Sequence, residues 1–405
     1  MKRRSMKMMG KNRIRVLSMA IAGATPAFAL AQSSVTLYGI VDAGLSYVNN
    51  VATHAGGSGS SKFQETTGVG VPSRWGLRGN EDLGGGNAAV FVLENGFSVA
   101  NGTMLQGSRL FGRQAYVGLQ NNAVGTFSLG RQYEPLVDFV GPLVSSRQWG
   151  TQYGAHVGDV DNLYTTFRLN NTVKFESANF AGFTLGGLYA FSNQAAGADG
   201  EGFQNNRAWS VGGSYARNSL SVGVAHFHLS SPSAGVTGGS NTSGAVVGDY
   251  SNTTSIFYTR PVTSQDITGA GIAYEVNKFT LGGAYTFVKL RYSDHTNFSI
   301  GNYEVNGRYR FTPALQAGVA VIYSVGNVGG ASSMPGVSDG PHPHWLQFNS
   351  GLIYSMSKLT DLYGAVVYQK ALNGALVAAI NNIGGATGTN SRYQVAATVG
   401  VRHRF

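Results

Sequence analysis

The chain of 405 residues contains no cysteine. That excludes disulfides, thiolate metal sites and a cysteine nucleophile, and it spares an exported chain from mispairing in an oxidising compartment. Charge is also scarce. Asp, Glu, Lys and Arg make up 12% of the residues, against about 25% in an average soluble protein. Long apolar runs are missing as well: past the N-terminal region, none approaches the ~18 residues of a membrane-crossing helix. Mean hydropathy is near zero. What is abundant is Gly (58), Tyr (20) and Phe (21). A chain poor in charge, rich in aromatics and without a hydropathy peak has the composition of a membrane β-barrel, in which half of the strand residues face water.

The first residues carry charge of one sign only. Lys2, Arg3, Arg4, Lys7, Lys11, Arg13 and Arg15 are followed by the mostly apolar run Val16 to Ala22, then by Pro26 and by Ala29, Leu30 and Ala31. This is the pattern of a secretory signal with a small-residue cleavage site. It divides the chain into a signal, 1–31, and one barrel domain, 32–405. The rival reading is a membrane anchor, disfavoured because the apolar stretch is short and rich in small residues. Without the seven leading cations, 22 basic residues face 19 acidic ones. The net charge of +10 and pI of 9.6 therefore say little about nucleic acid, and no such partner is expected.

The C-terminus states the architecture. Tyr393, Val395, Ala397, Val399, Val401, His403 and Phe405 alternate with Arg392, Gln394, Ala396, Thr398, Gly400, Arg402 and Arg404. Side chains on a strand alternate faces, so one face is mostly apolar with an aromatic at each end and the other is polar, small or cationic. Aromatics at both ends mark two water–lipid interfaces. A lone strand cannot stand in lipid, because its backbone groups need partners; a closed barrel supplies them.

Sixteen segments read as strands, among them 35–49, 73–81, 109–120, 169–177 and 392–405. Short connections such as 82–87, 121–125 and 277–278 largely alternate with long ones such as 50–72, 132–168, 230–263 and 372–391. That alternation predicts an all-β, 16-stranded antiparallel transmembrane barrel with tight turns at one rim and long loops at the other. Within 230–263, Ser255 to Thr259 could be a further strand. In 109–120 the faces do not separate: Arg109, Phe111 and Arg113 fall with Ala115, Val117 and Leu119. That suggests either a face covered by a neighbouring subunit or a misjudged register.

Segment 132–168 is too long for a turn and too apolar for disorder, with Tyr133, Phe139, Trp149 and Tyr153 among Glu134, Asp138, Arg147, Asp159 and Asp161. Folded into the lumen, it would narrow the hole and set carboxylates opposite cations of the wall. The alternative is an ordinary external loop. The candidate wall cations are Arg74, Arg78, Arg113, Arg131 and Arg168, with Lys174. Each could be a solvated lumen residue; together, facing a pore, they would attract anions. The pairs His226/His228 and His342/His344 lack a third metal ligand. No Gly-x-Ser-x-Gly elbow or P-loop is present, so neither catalysis nor a cofactor is expected.

The stretches Ser34-Val-Thr-Leu-Tyr-Gly-Ile-Val-Asp-Ala-Gly44, Ser73-Arg-Trp-Gly-Leu-Arg-Gly-Asn-Glu-Asp-Leu-Gly-Gly-Gly86, Leu129-Gly-Arg-Gln132 and Val401-Arg-His-Arg-Phe405 resemble general porins of Gram-negative outer membranes, of the beta-proteobacterial type. The resemblance covers essentially the whole mature chain. It implies a homotrimer of sixteen-stranded barrels in contact with outer-membrane lipid and lipopolysaccharide, and a third loop, within 132–168, folded inward as an eyelet. By local motif it implies a constriction with Arg74, Arg113 and Arg168 as its arginine cluster and Glu94 and Asp138 as acidic partners. The expected function is passive diffusion of small hydrophilic solutes and ions, weakly anion-selective. The alternatives are a substrate-specific anion channel, a surface adhesin or antigen, and a barrel enzyme, for which no rim nucleophile is seen.

Overall fold

A computed structural model describes residues 33–52, 59–194, 204–232, 244–246, 248, 250, 260–330, 338–382 and 391–405. The signal segment 1–31 and the possible strand Ser255–Thr259 lie outside the described residues. In chain order the strands are β1 (Ser34–Ala52), β2 (Gly59–Thr67), β3 (Arg74–Gly84), β4 (Asn87–Gly96), β5 (Gln114–Asn121) and β6 (Gly125–Gln132). Next come β7 (Leu169–Ser177), β8 (Phe183–Ala190), β9 (Arg207–Arg217), β10 (Leu220–Ser230), β11 (Val262–Val276) and β12 (Phe279–Tyr292). The last are β13 (Asn297–Arg310), β14 (Leu315–Gly329), β15 (Ser338–Ser355), β16 (Thr360–Ala375) and β17 (Tyr393–Arg404).

Neighbouring strands pair antiparallel around the sheet, and β17 returns to pair with β1, so the sheet is closed. β2 and β3 both lie on β1, the first against Ala43–Ala52 and the second against Ser34–Ile40. They are two halves of one wall strand, interrupted at residues 68–73, and the barrel therefore has sixteen wall strands. The half at Gly59–Thr67 falls in the stretch read from sequence as a connection. Its sequence, Gly-Ser-Ser-Lys-Phe-Gln-Glu-Thr-Thr, is polar on both faces apart from the outward Phe63, so no alternation betrays it.

Inside and outside follow the pleat. On β17, Gln394, Ala396, Thr398 and Arg402 are buried inward, whereas Tyr393, Val399, Val401 and Phe405 are exposed outward. The outer wall carries a belt of exposed aliphatics, including Leu185, Leu281, Val305 and Val319. Aromatic pairs lie along it, with ring centroids 4.6 Å apart for Phe183–Tyr215, 4.4 Å for Phe279–Tyr309 and 4.8 Å for Tyr285–Tyr303. An apolar band flanked by rings matches a bilayer's hydrocarbon and its two interfaces. The cylinder is sealed at its chain end: Gly39 N donates to Phe405 O (3.0 Å) and Phe405 N to Gly39 O (3.1 Å). Gly39 is required there, since a Cβ on it would sit 2.4 Å from the Phe405 ring.

β5 begins at Gln114, and residues 109–113 are irregular. The mixed face expected for 109–120 is thus a register error: Ala115, Val117 and Leu119 point outward as a strand face, while Arg109, Phe111 and Arg113 precede the strand and follow no alternation.

Candidate constriction of the lumen

The chain leaves the wall at Gln132 and rejoins it at Leu169; between them it folds inside the barrel through several short helical turns. Leu136, Val140, Val157, Val160, Leu163 and Phe167 of this inner loop are buried with the inward Phe227, Ile267, Val288 and Ile300 of the wall. Small wall residues make this approach possible. A Cβ on Gly223 would lie 2.0 Å from Phe139 O, and one on Gly318 2.2 Å from Trp149 Cε2. Burial of these apolar side chains drives the docking, at roughly 1.5–3 kcal/mol per large side chain before ordering costs.

Polar wall residues then fix the loop backbone. Gln265 Nε2 donates to Val160 O (2.9 Å), Asn349 Nδ2 to Gly154 O (2.9 Å) and Gln347 Nε2 to Ala155 O (3.1 Å). The imidazole of His156 is clamped between two carboxylates, with Nδ1 2.5 Å from Asp161 Oδ2 and Nε2 3.1 Å from Glu304 Oε2. Burial alone would lower the His156 pKa, but the charges and hydrogen bonds of Asp161 and Glu304 outweigh it and lift it to about 10. The ring is therefore an imidazolium at neutral pH.

Across the lumen, the break between β2 and β3 is organised by Asp42 of β1. Its carboxylate accepts from Gly70 N (3.3 Å), Val71 N (3.0 Å) and Tyr363 OH (2.8 Å). The bend so held at 68–73 ends on Arg74. Glu94 of β4 accepts from Arg113 Nε (2.7 Å) and Tyr38 OH (3.1 Å), with Arg74 Nε 3.5 Å away. Arg113 and Arg168 flank the Tyr133 ring at 6.0 and 5.5 Å from its centroid. Burial would raise the Tyr133 pKa, but the two guanidinium charges prevail and hold it below its ordinary value. Arg113 NH1 is buried and has no hydrogen-bond partner among the described residues.

These groups border two cavities. One, beside the loop residues Leu105 and Gln106, is lined by Arg113, Gln152, Thr166 and Arg168; the other is lined by Arg74, Glu94, Tyr133 and Arg147. Pro72, Arg113, Tyr164 and Thr165 line both, so the passage between them runs past the Arg113 guanidinium.

The remaining expected site residues lie elsewhere. Arg78, four residues beyond Arg74 on the same face, is exposed and stands 5.4 Å from the Tyr38 ring centroid. Arg131 shares the outward phase of β6 with Phe127 and Leu129. It does not line the passage: its Nε donates to Gly112 O (2.8 Å), it contacts Asn170, and it braces the chain behind the loop. Its position next to a bulge between Gly130 and Gln132 is what defeats alternation there. Asp138 is paired with Lys174 at 2.5 Å rather than with the arginines. Asp42, Tyr363 and His156 were not legible as site residues. The single hint was Asp42 itself, the one charged residue in a strand of apolar, small, hydroxyl and amide side chains.

A model of the family described as Gram-negative porin matches residues 18–374. An outer membrane porin protein of Bordetella pertussis is 30% identical over 96% of this chain and 99% of its own length. Outer membrane porin protein 32 of Delftia acidovorans is 27% identical over 96% and 99%. The solved structure described as an anion-selective porin from Comamonas acidovorans superposes with a TM-score of 0.68 at 23% identity, covering 92% of this chain and all of its own. With the barrel closed and relatives matched from end to end, the chain belongs to the Gram-negative porins and its place is the outer membrane.

Proposed function

We propose that the lumen is a water-filled path for passive diffusion of small hydrophilic solutes and ions, with a weak preference for anions. One observation carries this reading: among the described residues, the two cavities are lined by four arginines, Arg74, Arg113, Arg147 and Arg168, and one carboxylate, Glu94, which is paired with Arg74 and Arg113. Rings of arginine attract anions and repel cations. The preference is weak because the site is wet. A charge pair at 4 Å gains about 1 kcal/mol in bulk water and about 4 at an intermediate dielectric. The relative described as anion-selective is consistent with this. No bond is made or broken; solutes move down their gradient. Reversal potentials of the wild-type channel in a planar bilayer under a KCl gradient test the proposal. A chloride-favouring sign is expected, and a potassium-favouring sign would refute the selectivity.

The unpartnered Arg113 NH1 favours a second reading, a channel specific for a carboxylate or phosphate solute. Its mark is block of current by micromolar solute. Assembly as a homotrimer in contact with outer-leaflet lipid and lipopolysaccharide is part of the same proposal. It rests on the resemblance to general porins. Triplet conductance steps would report the trimer.

A further inference from the structure

A third cavity, of about 350 Å3, lies inside the barrel toward the short-turn rim, and it shares no lining residue with the two at the constriction. Phe139 and Leu143 of the inner loop cover it with apolar surface. Its wall is the inward face of β9 to β13, and Asn218 of the β9–β10 turn closes the end. The charges on its lining are of both signs: Asp138 from the loop, Glu275 from β11 and Arg308 from β13.

Elsewhere in the lumen, inward polar side chains are tied to one another. Asn302, for example, donates to Thr286 Oγ1 (3.0 Å) and accepts from Ser324 Oγ (2.7 Å). Around this cavity the valences are left open. Arg308 Nε donates to Thr280 Oγ1 (3.1 Å), but its two terminal nitrogens have no partner among the described residues, and no carboxylate there lies within ion-pair distance of it. Glu275 gives one oxygen to Arg310 NH1 (3.3 Å) and keeps Oε2 open among the same residues. The hydroxyls of Ser214 and Ser221, on the same lining, are likewise without a partner among them. Asp138 is different, since Lys174 already neutralises it at 2.5 Å.

We propose that this cavity is a binding station for a dipolar solute, an α-amino acid with an apolar side chain. The carboxylate would take the planar fork of Arg308, which suits bidentate binding. The ammonium would take Glu275 Oε2, the hydroxyls of Ser214 and Ser221 would complete its hydrogen bonds, and the side chain would lie on Phe139 and Leu143. A concave site of this size, mostly apolar on one side and with a few convergent polar groups on the other, suits a small molecule. The lining selects the class. A simple anion would meet Glu275 as well as Arg308, and a neutral sugar would leave the guanidinium without a countercharge. A dipolar solute answers both charges at once. The inference rests on the pore reading, which brings solutes into the lumen.

The test is saturation-transfer NMR on the wild-type protein in deuterated detergent, with L-leucine as the probe. Two analogues accompany it: 4-methylpentanoate, which lacks the ammonium, and 3-methylbutylamine, which lacks the carboxylate. Leucine should bind saturably, and each analogue should bind at least about tenfold more weakly, the loss expected for one charge-assisted hydrogen bond. Arg308→Gln should erase the advantage of leucine over the amine, and Glu275→Gln its advantage over the carboxylate. Equal binding of all three by the wild type overturns the proposal, because the cavity would then be merely apolar. Binding of 4-methylpentanoate as tight as leucine overturns it too, making the cavity a site for free anions. So does loss of the leucine signal in Arg113→Ala, which would move the site to the constriction. The analogue comparison needs no variant and so holds even if Arg308→Gln fails to fold. A wild type without conductance would sink the pore reading while leaving the leucine result standing.

Discussion

His156 of the inner loop and Glu304 of the wall, 148 residues apart in sequence, are joined Nε2 to Oε2 at 3.1 Å. The other ring nitrogen is taken by Asp161, which also accepts from Thr286 Oγ1 of β12 (2.6 Å). Glu304 accepts in addition from Ser145 N (2.7 Å) and Asn306 Nδ2 (2.6 Å). One imidazolium thus ties two parts of the loop to two strands.

His156→Ala should leave two buried carboxylates without their cation, at a local cost of about 3–5 kcal/mol. Single-channel records should then show larger and noisier openings. A folded pKa raised to about 10 means that the clamp is complete below the ordinary histidine range and is lost as pH rises through about 10. Open-channel noise should therefore stay flat from pH 6 to 9 and rise above about 10.

Removing the cation that lines both cavities should be felt in selectivity. Arg113→Ala, alone or with Arg74→Ala, should lower the anion-to-cation permeability ratio about fivefold per charge, from ~1 kcal/mol each in a water-like setting. Conductance steps should grow. Unchanged reversal potentials would remove these arginines from the filter.

Two loop acids titrate where a bacterium meets its surroundings. Glu134 is pushed up to about 7 by burial, with Oε1 accepting from Asn162 Nδ2 (3.1 Å) and Oε2 without a hydrogen-bond partner among the described residues. Asp159 is raised to about 7 by burial and then by the charge of Asp161, despite bonds from Tyr164 N (2.8 Å) and Thr166 Oγ1 (2.6 Å). Both are neutral below that range and ionised above it. Falling pH strips negative charge from the loop, so anion preference should increase from pH 8 to pH 6. Stability runs the same way: an acid with a raised folded pKa favours the fold at low pH, and that contribution is lost as pH rises through about 7. Glu134→Gln and Asp159→Asn together should flatten the reversal-potential profile.

The glycine seat under Trp149 gives a steric test. Gly318→Val places carbon within contact of the indole, 2.2 Å from Cε2 at the Cβ alone. Overpacking of this kind costs about 1–3 kcal/mol. The expected result is a folded barrel with a displaced loop, a wider conductance distribution and a lower thermal midpoint. A variant with wild-type conductance and stability would show that the loop is not held there.

The wall itself was written in the chain at short range. Alternation on β17, the turn signals at 82–87 and 277–278 and the scarcity of charge each follow from a two-residue period between lipid and water, which any local stretch must obey. The same rule explains the failures. Where backbone leaves the pleat, at 109–113 and at the Gly130–Gln132 bulge, parity stops reporting direction, and Arg113 and Arg131 could not be assigned by it. Gly59–Thr67 was lost because both its faces are polar.

What the sequence alone determined is the closed, outward-apolar cylinder and a long loop too apolar for disorder. Which groups meet inside was decided by tertiary structure, because the partners come from distant strands. Asp42 finds Tyr363 across the barrel seam, Glu94 gathers Arg74 and Arg113, and His156 is charged because folding brings Asp161 and then Glu304 to it. A local pattern fixes which face a side chain takes; only closure of the sheet fixes which charge it will stand beside, and at what distance.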